Sequence, residues 1–207
     1  SSLSEREILL SEIHHRVKNN LAVVTALMEL QAFYIADKKI IEILKESQSR
    51  IKSIALLHEK LYENKSLKEV DVLSYTTELI HFIKQSFGDK EKSIQIHTNI
   101  DKITLEMSRA MPFGLLLNEL ITNSYKYAFQ LNQKGNIWIN VAEKNQNYEL
   151  EYKDDGPGFE FNEEAKTTSL GLNLIESFCI QLNGTFEYQQ SDEYLVFKFK
   201  FPSLNTI

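Results

Sequence analysis

One cysteine, Cys179, stands in 207 residues, so no disulfide forms within the chain and no cysteine-based zinc site is available. A reducing compartment fits that usage. Neither glycine nor proline occurs in the first sixty residues, which excludes turn-rich architecture there. No stretch approaches the roughly 20 apolar residues of a membrane helix, and no signal-peptide pattern opens the chain. A basic excess is also missing. With 23 Lys and Arg against 29 Asp and Glu, the net charge is −6, which argues against a nucleic-acid partner. Internal repeats and low-complexity segments are absent. The chain begins inside a helix-like pattern, as the C-terminal part of a longer sensor would. Membrane attachment would then lie only in segments absent from this chain, and a cytoplasmic location is expected.

What is present divides into two textures. From Leu3 to about Asn64 the pattern is helical throughout. Leu10, His14, Val17, Leu21, Val24 and Met28 alternate in steps of four and three, a heptad seam. Ile40, Ile41, Leu44, Ser47, Ile51, Ile54, Leu57 and Leu61 form a second run, with Asp37 as a helix start between them. The spacing predicts an antiparallel hairpin whose exposed apolar seam closes into a four-helix bundle with a second copy. A homodimer through residues 1–64 is therefore expected. After "YENKSLKEVDV" helices and strands mix, with antiparallel-looking neighbours. Residues 65–207 read as an α+β two-layer sandwich with helices on one face.

Three local patterns carry possible chemistry. In "NELITNSYKYAF", Glu119, Asn123 and Lys126 stand four and three residues apart, on one helical face. Such a set suits Mg²⁺ and phosphate, although from spacing alone a solvated polar stripe is the commoner meaning. In "DDGPGF", Asp154 ends an apparent strand and Gly156-Pro157-Gly158 forces a turn with close backbone approach. A plain Asp-Gly turn would read the same. In "TTSLGLNLI", Gly171 lies at a helix start, where free N–H groups favour phosphate. The polar stretch between Phe159 and Ser169 has the look of a short lid.

Order makes these patterns specific. An N-E-x-x-x-N-x-x-K helix, then D-x-G-x-G, then a glycine at a helix start resembles the ATP-binding domain shared by gyrase-type ATPases and histidine kinases. With "EIHHRVKNNL" and "SRIKSIALLHEKLY" in front, nearly the whole chain resembles a sensor histidine kinase core. The subfamily is the one with an H-R-x-K-N-N phosphoacceptor motif (the HisKA_2 type, close to the HWE group). The resemblance implies a histidine phosphotransfer hairpin over 1–64 and a GHKL (Bergerat) ATP-binding domain over 65–207. It implies ATP and Mg²⁺, and a response-regulator receiver domain as phosphoryl acceptor.

Residue by residue, the motif places the phosphoacceptor at His15. Helix geometry agrees: His14 falls on the seam, while His15 lies about 100° away, toward solvent. Asn19, one turn on, would position a phosphoryl group or a water. The resemblance further implies Mg²⁺ at Asn123, phosphates at Lys126, Tyr127 beside the nucleotide and the adenine amino group at Asp154. Gly156 and Gly158 would permit close approach, and Gly171 would lie under the lid. Many such kinases carry an acid just after the acceptor; here Arg16 stands there. The expected base is therefore Glu119, at the place of the catalytic glutamate of gyrase-type ATPases.

The chain departs from the family's pattern in three places. The glycine-rich lid segment is reduced to Gly171, the lid is short, and "QQSDEYLVFKFKF" lacks the expected Gly-Thr. The competing readings are a phosphatase-biased or adaptor member of the family, or an ATP hydrolase or serine kinase on the same nucleotide fold. The histidine hairpin argues against the hydrolase and serine kinase, and the intact Asn123, Asp154 and glycines against a degenerate adaptor.

Overall fold

The hairpin is built from α1 (Ser2–Tyr34) and α2 (Lys38–Glu63). They belong to a computed structural model that describes residues 2–63, 69–88, 93–129, 134–156 and 169–203. Asp37 starts α2: its carboxylate accepts the Lys39 N–H at 2.8 Å, satisfying one of the first turn's orphan donors. The face that α1 turns to α2 runs through Ser11, His14, Lys18, Leu21, Thr25 and Met28, all half-buried and spaced by three and four.

That face corrects the predicted seam. His14, Val17, Leu21 and Met28 are half-buried, but Leu10 and Val24 are exposed, 46% and 43%. The cause is a helix apolar on two faces. Ile13, Val23, Leu27 and Leu30 are exposed as well, and one partner helix covers only one stripe.

Beyond the hairpin, Asp71 closes the three-residue strand β1 (Glu69–Asp71) and caps α3 (Val72–Phe87), accepting the Ser74 N–H at 2.7 Å. β2 (Ser93–Ile100) is followed by β3 (Thr104–Glu106), which pairs with β1, and by α4 (Met107–Asn123). The remaining elements are β4 (Lys134–Lys144), β5 (Asn147–Asp154), α5 (Leu170–Gln181), β6 (Thr185–Gln190) and β7 (Leu195–Pro202). The main sheet runs β2-β4-β5-β7-β6. Its pairs are antiparallel except β2–β4, which is parallel. The expectation of antiparallel neighbours thus fails at one edge, because α4 carries the chain back across the sheet between β2 and β4.

Strands β4, β5 and β7 alternate inward apolar residues with outward polar ones, and α3, α4 and α5 cover the inward face. The core does not stop at the hairpin. Leu56, Leu57 and Leu61 of α2 pack into the cluster formed by α3 and α4. The Tyr75 side chain, fully buried, spans that junction and donates its hydroxyl to the Ser53 carbonyl at 3.3 Å.

Gly114 of α4 leaves room for it, since a Cβ there would stand 2.2 Å from the Tyr75 hydroxyl oxygen. Gly114→Ala is expected to destabilise the chain by about 1–3 kcal/mol despite alanine's better helix propensity, because overpacking wins in a filled core. Equilibrium urea unfolding checks this; an unchanged or raised midpoint would refute the close packing. Among the described residues, no helix is long and apolar enough to cross a membrane.

Candidate active site

Glu119 and Asn123 occupy consecutive turns of α4 and are buried, 2% and 8% exposed. From Ser124 to Ala128 the helix widens into a π-helical turn. Tyr125 and Ala128 face the core there, while Tyr127 is exposed and Lys126 reaches α2. Two α2 side chains meet this face. Arg50 grips Glu119 with two bonds, Nε to Oε1 at 2.6 Å and Nη2 to Oε2 at 2.9 Å. Glu46 accepts from Lys126, and its second oxygen lies 3.4 Å from Arg50 Nη2.

Beside them, Ser49 donates to Asn118 Oδ1 at 2.6 Å. Burial opposes the charge on Arg50 and on Lys126. The hydrogen bonds and charges of Glu119 and Glu46 outweigh it for Arg50, and those of Glu46 for Lys126, so both pKa values are raised.

A cavity of about 630 Å³ opens against this network. Asn123, Lys126, Tyr127 and Gly171 line it from the sandwich, and Glu46 and Arg50 from α2. Ser169 starts α5 there, its hydroxyl accepting the Leu172 N–H at 3.5 Å. A Cβ at Gly171 would come within 3.3 Å of both Asn123 Oδ1 and Glu119 Oε2. The glycine thus keeps a polar cradle open. No hydrogen bond among the described residues engages the Asn123 side-chain amide.

Asn123 also lines a narrow cleft of about 10 Å³, room for about one water, with Ser124, Tyr152, Asp154 and Ile175. At its floor Asp154 is wholly buried, accepting Ser124 Oγ at 2.7 Å and the Gly156 N–H at 3.2 Å. Burial raises its pKa to about 6, against the hydrogen bonds from Ser124 and Gly156. Asp155 fixes the strand end by accepting the Asn136 N–H at 2.6 Å. Gly158 and the predicted lid lie outside the described residues.

These groups are of the kinds that could hold a magnesium nucleotide, once the cleft at Asp154 widens to admit a base. The buried acceptor suits an amino group, the unengaged amide a cation, the ammonium a phosphate, and the open backbone at Gly171 allows close approach.

The histidine pair stands elsewhere. His14 is half-buried and shares a 2.8 Å Nδ1–Nδ1 hydrogen bond with His58 of α2, whereas His15 is exposed. Burial, then the neighbouring His14, lowers the pKa of His58. Lys18 bridges to Glu59 at 2.6 Å, Arg16 pairs with Glu12 at 2.8 Å, and Asn19 is exposed. Along α2, His58 lies eight residues beyond Arg50, about 12 Å of helix rise.

The structure therefore gathers Glu119, Asn123, Lys126, Tyr127 and Gly171 at one cavity with Asp154 and Gly156 beneath. It leaves His15 and Asn19 further along the hairpin. Sequence reasoning missed Arg50 and Glu46. Arg50 stands inside the quoted "SRIKSIALLHEKLY", and the further signal is its i, i+4 spacing from Glu46 on one face of α2.

Comparison with known proteins adds two family matches, a histidine kinase profile over residues 12–87 and a histidine kinase-, DNA gyrase B- and HSP90-like ATPase profile over 109–205. The chain is 31% identical over 196 residues to the sensor histidine kinase PdtaS of Mycobacterium tuberculosis, covering 93% of itself and 38% of that protein. It is 22% identical over 190 residues to blue-light-activated histidine kinase 2 of Erythrobacter litoralis, covering 88% of itself and 54% of that relative. The chain thus spans well under two thirds of these relatives. Among solved structures, the histidine kinase domain of a blue-light activated kinase from Erythrobacter litoralis shares the fold, with a TM-score of 0.68 at 19% identity. That match covers 96% of this chain and 95% of the other.

Proposed function

The chain belongs to the histidine kinases, as a core of the HisKA_2 type, and on that premise we propose that it phosphorylates its own His15 from ATP and passes the phosphoryl group to an aspartate of a response-regulator receiver domain. The observation that carries the reading is Asn123, which lines both the charged cavity and the Asp154 cleft. An adenine reaching Asp154 needs the cleft to widen well beyond its present volume of about 10 Å³, and would then direct its phosphates past Asn123 toward Lys126. Asp154 accepts from the adenine amino group, with Gly156 close to the base. Tyr127, exposed at the rim, flanks the nucleotide. Asn123 would hold magnesium, which would offset charge on the phosphates.

In the reaction an imidazole nitrogen of His15 forms a P–N bond as the bond from the γ-phosphorus to the ADP oxygen breaks. ADP leaves, and the ring nitrogen must be free of its proton before or during attack. Glu119 takes that proton or holds the nucleophilic tautomer. Asn19, exposed one turn from His15, orients the phosphoryl group or a water. Because His15 lies along the hairpin from the cavity, transfer requires the ATP-binding domain to move or a second copy to present its histidine. The exposed apolar stripe of α1 supplies a surface for that second copy.

Glu119→Gln is expected to keep ATP affinity within threefold, roughly, while slowing phosphorylation of His15 by about 100-fold or more, the worth of a positioned base. Single-turnover labelling beside nucleotide titration separates the two effects; a wild-type rate removes Glu119 from the chemistry.

A further inference from the structure

Three features outside the proposed chemistry merit a role: the polar outer face of the sheet, the His14–His58 pair, and the α2 charges over the nucleotide cavity. The outer face carries a broad concavity of about 750 Å³, but its charges pair with one another, Lys144 with Glu149 and Lys198 with Glu151. The histidine pair ties the two helices of the hairpin to each other and takes its hydrogen bond within it. The α2 charges differ. They occupy groups that a nucleotide needs.

Resting on the reading of the cavity as the nucleotide site, we infer that Glu46 is an inhibitory plug. It competes with nucleotide phosphate for Lys126, and with Arg50 it latches the ATP-binding domain to α2 in an off state. The charges alternate in one chain: Lys126, Glu46, Arg50, Glu119. The outer two belong to the ATP-binding half and are its expected phosphate and base groups. The inner two come from the hairpin. A pairing meant only to dock two domains has no need of both functional charges, and the shared core of Leu56, Leu57 and Leu61 already docks them.

Each engaged group is occupied in the sense that blocks its task. The Lys126 ammonium donates to Glu46 and, at 3.3 Å, to the Tyr127 hydroxyl. Both Glu119 oxygens are held by Arg50, so neither can receive an imidazole proton without losing a bond. The same contacts hold the cavity about 12 Å of helix rise short of the His15 level. A polyphosphate carries several negative charges against the single one of Glu46, so nucleotide entry displaces the carboxylate. Displacement leaves Arg50 with Glu119 alone. By linkage, whatever strains α2 away from the sandwich raises nucleotide affinity, and nucleotide loosens α2. A signal arriving along α1 and α2 would meet the catalytic groups at this point.

The test is calorimetric titration of the full chain with a β,γ-imido analogue of ATP and Mg²⁺. Glu46→Gln keeps the shape of a side chain already 23% exposed, and is expected to tighten binding by about 2- to 5-fold, the worth of one partly exposed ion pair. Glu46→Ala shifts affinity the same way. In a Lys126→Gln background, binding weakens and the Glu46→Gln gain disappears, because the two positions act through one contact. If the wild type binds the analogue and Glu46→Gln binds no more tightly, the plug is refuted while the nucleotide reading stands. If neither the wild type nor Glu46→Gln binds it, both are refuted. A gain that persists without Lys126 also overturns the plug.

Discussion

Asp154→Asn is expected to weaken ATP binding by about 100-fold, the loss that follows when a site built to accept a hydrogen bond presents a donor instead. The carboxylate is wholly buried and two groups donate to it, Ser124 and the Gly156 N–H. Its remaining acceptor capacity faces the cleft beside Asn123. An asparagine there turns an N–H₂ toward the adenine amino group or toward Ser124. The Ser124 hydroxyl already has an alternative partner in the Tyr152 hydroxyl at 2.6 Å, so the fold tolerates the change.

Stability and binding should therefore separate. The folded carboxyl, at about 6, holds its proton to higher pH than an unfolded aspartate near 4. Folding takes up a proton between those values. The stability that this group contributes is present below about pH 4 and falls as pH rises through 6, by as much as about 3 kcal/mol. Asp154→Asn removes that slope, so urea unfolding at pH 5 and pH 7 should show a smaller difference than the wild type. An amino donor favours the ionised carboxylate, so wild-type nucleotide affinity should fall as pH drops below about 6. If Asp154→Asn binds ATP within twofold of wild type, the cleft does not hold the base.

The second large effect divides the histidine pair. His15→Ala should abolish phosphorylation, whereas His14→Ala should keep at least roughly a tenth of it and lose hairpin stability, on the order of 1 kcal/mol for one hydrogen bond. The assignment rests on burial. His14 is held against His58 across the hairpin, and its Nδ1 is engaged at 2.8 Å; His15 projects to solvent on the next position of the helix. A nucleophile that meets both a nucleotide and a partner protein needs the exposed position. Label surviving in His15→Ala and lost in His14→Ala would reverse the assignment.

The difference in burial between these histidines was readable in the sequence because a heptad fixes which neighbours share a face. The same logic misplaced Leu10 and Val24. Isoleucine, valine and leucine occur on two stripes of α1, and spacing does not say which stripe meets α2 and which is left for another surface. Glu119, Asn123 and Lys126 came together as their spacing implied, since one helix carries them. Even so, the π-helical turn at Ser124–Ala128 was not visible in residue pattern.

Arg50 and Glu46 escaped for a different reason. Their partners are 69 and 80 residues away, and a charged pair on an amphipathic helix reads as solvated surface until its partners are known. The parallel β2–β4 edge and the three-residue strands β1 and β3 depend on long-range pairing, which alternation alone does not encode.

The central claim is that a γ-phosphate reaches the exposed histidine of the hairpin, and one measurement meets it directly. The wild-type chain is incubated with γ-labelled ATP and Mg²⁺, and the protein-bound label is tested for acid and base stability and mapped by peptide. The account predicts acid-labile, base-stable label on the peptide that contains His15. Acid-stable label, or none at any nucleotide concentration, would contradict it.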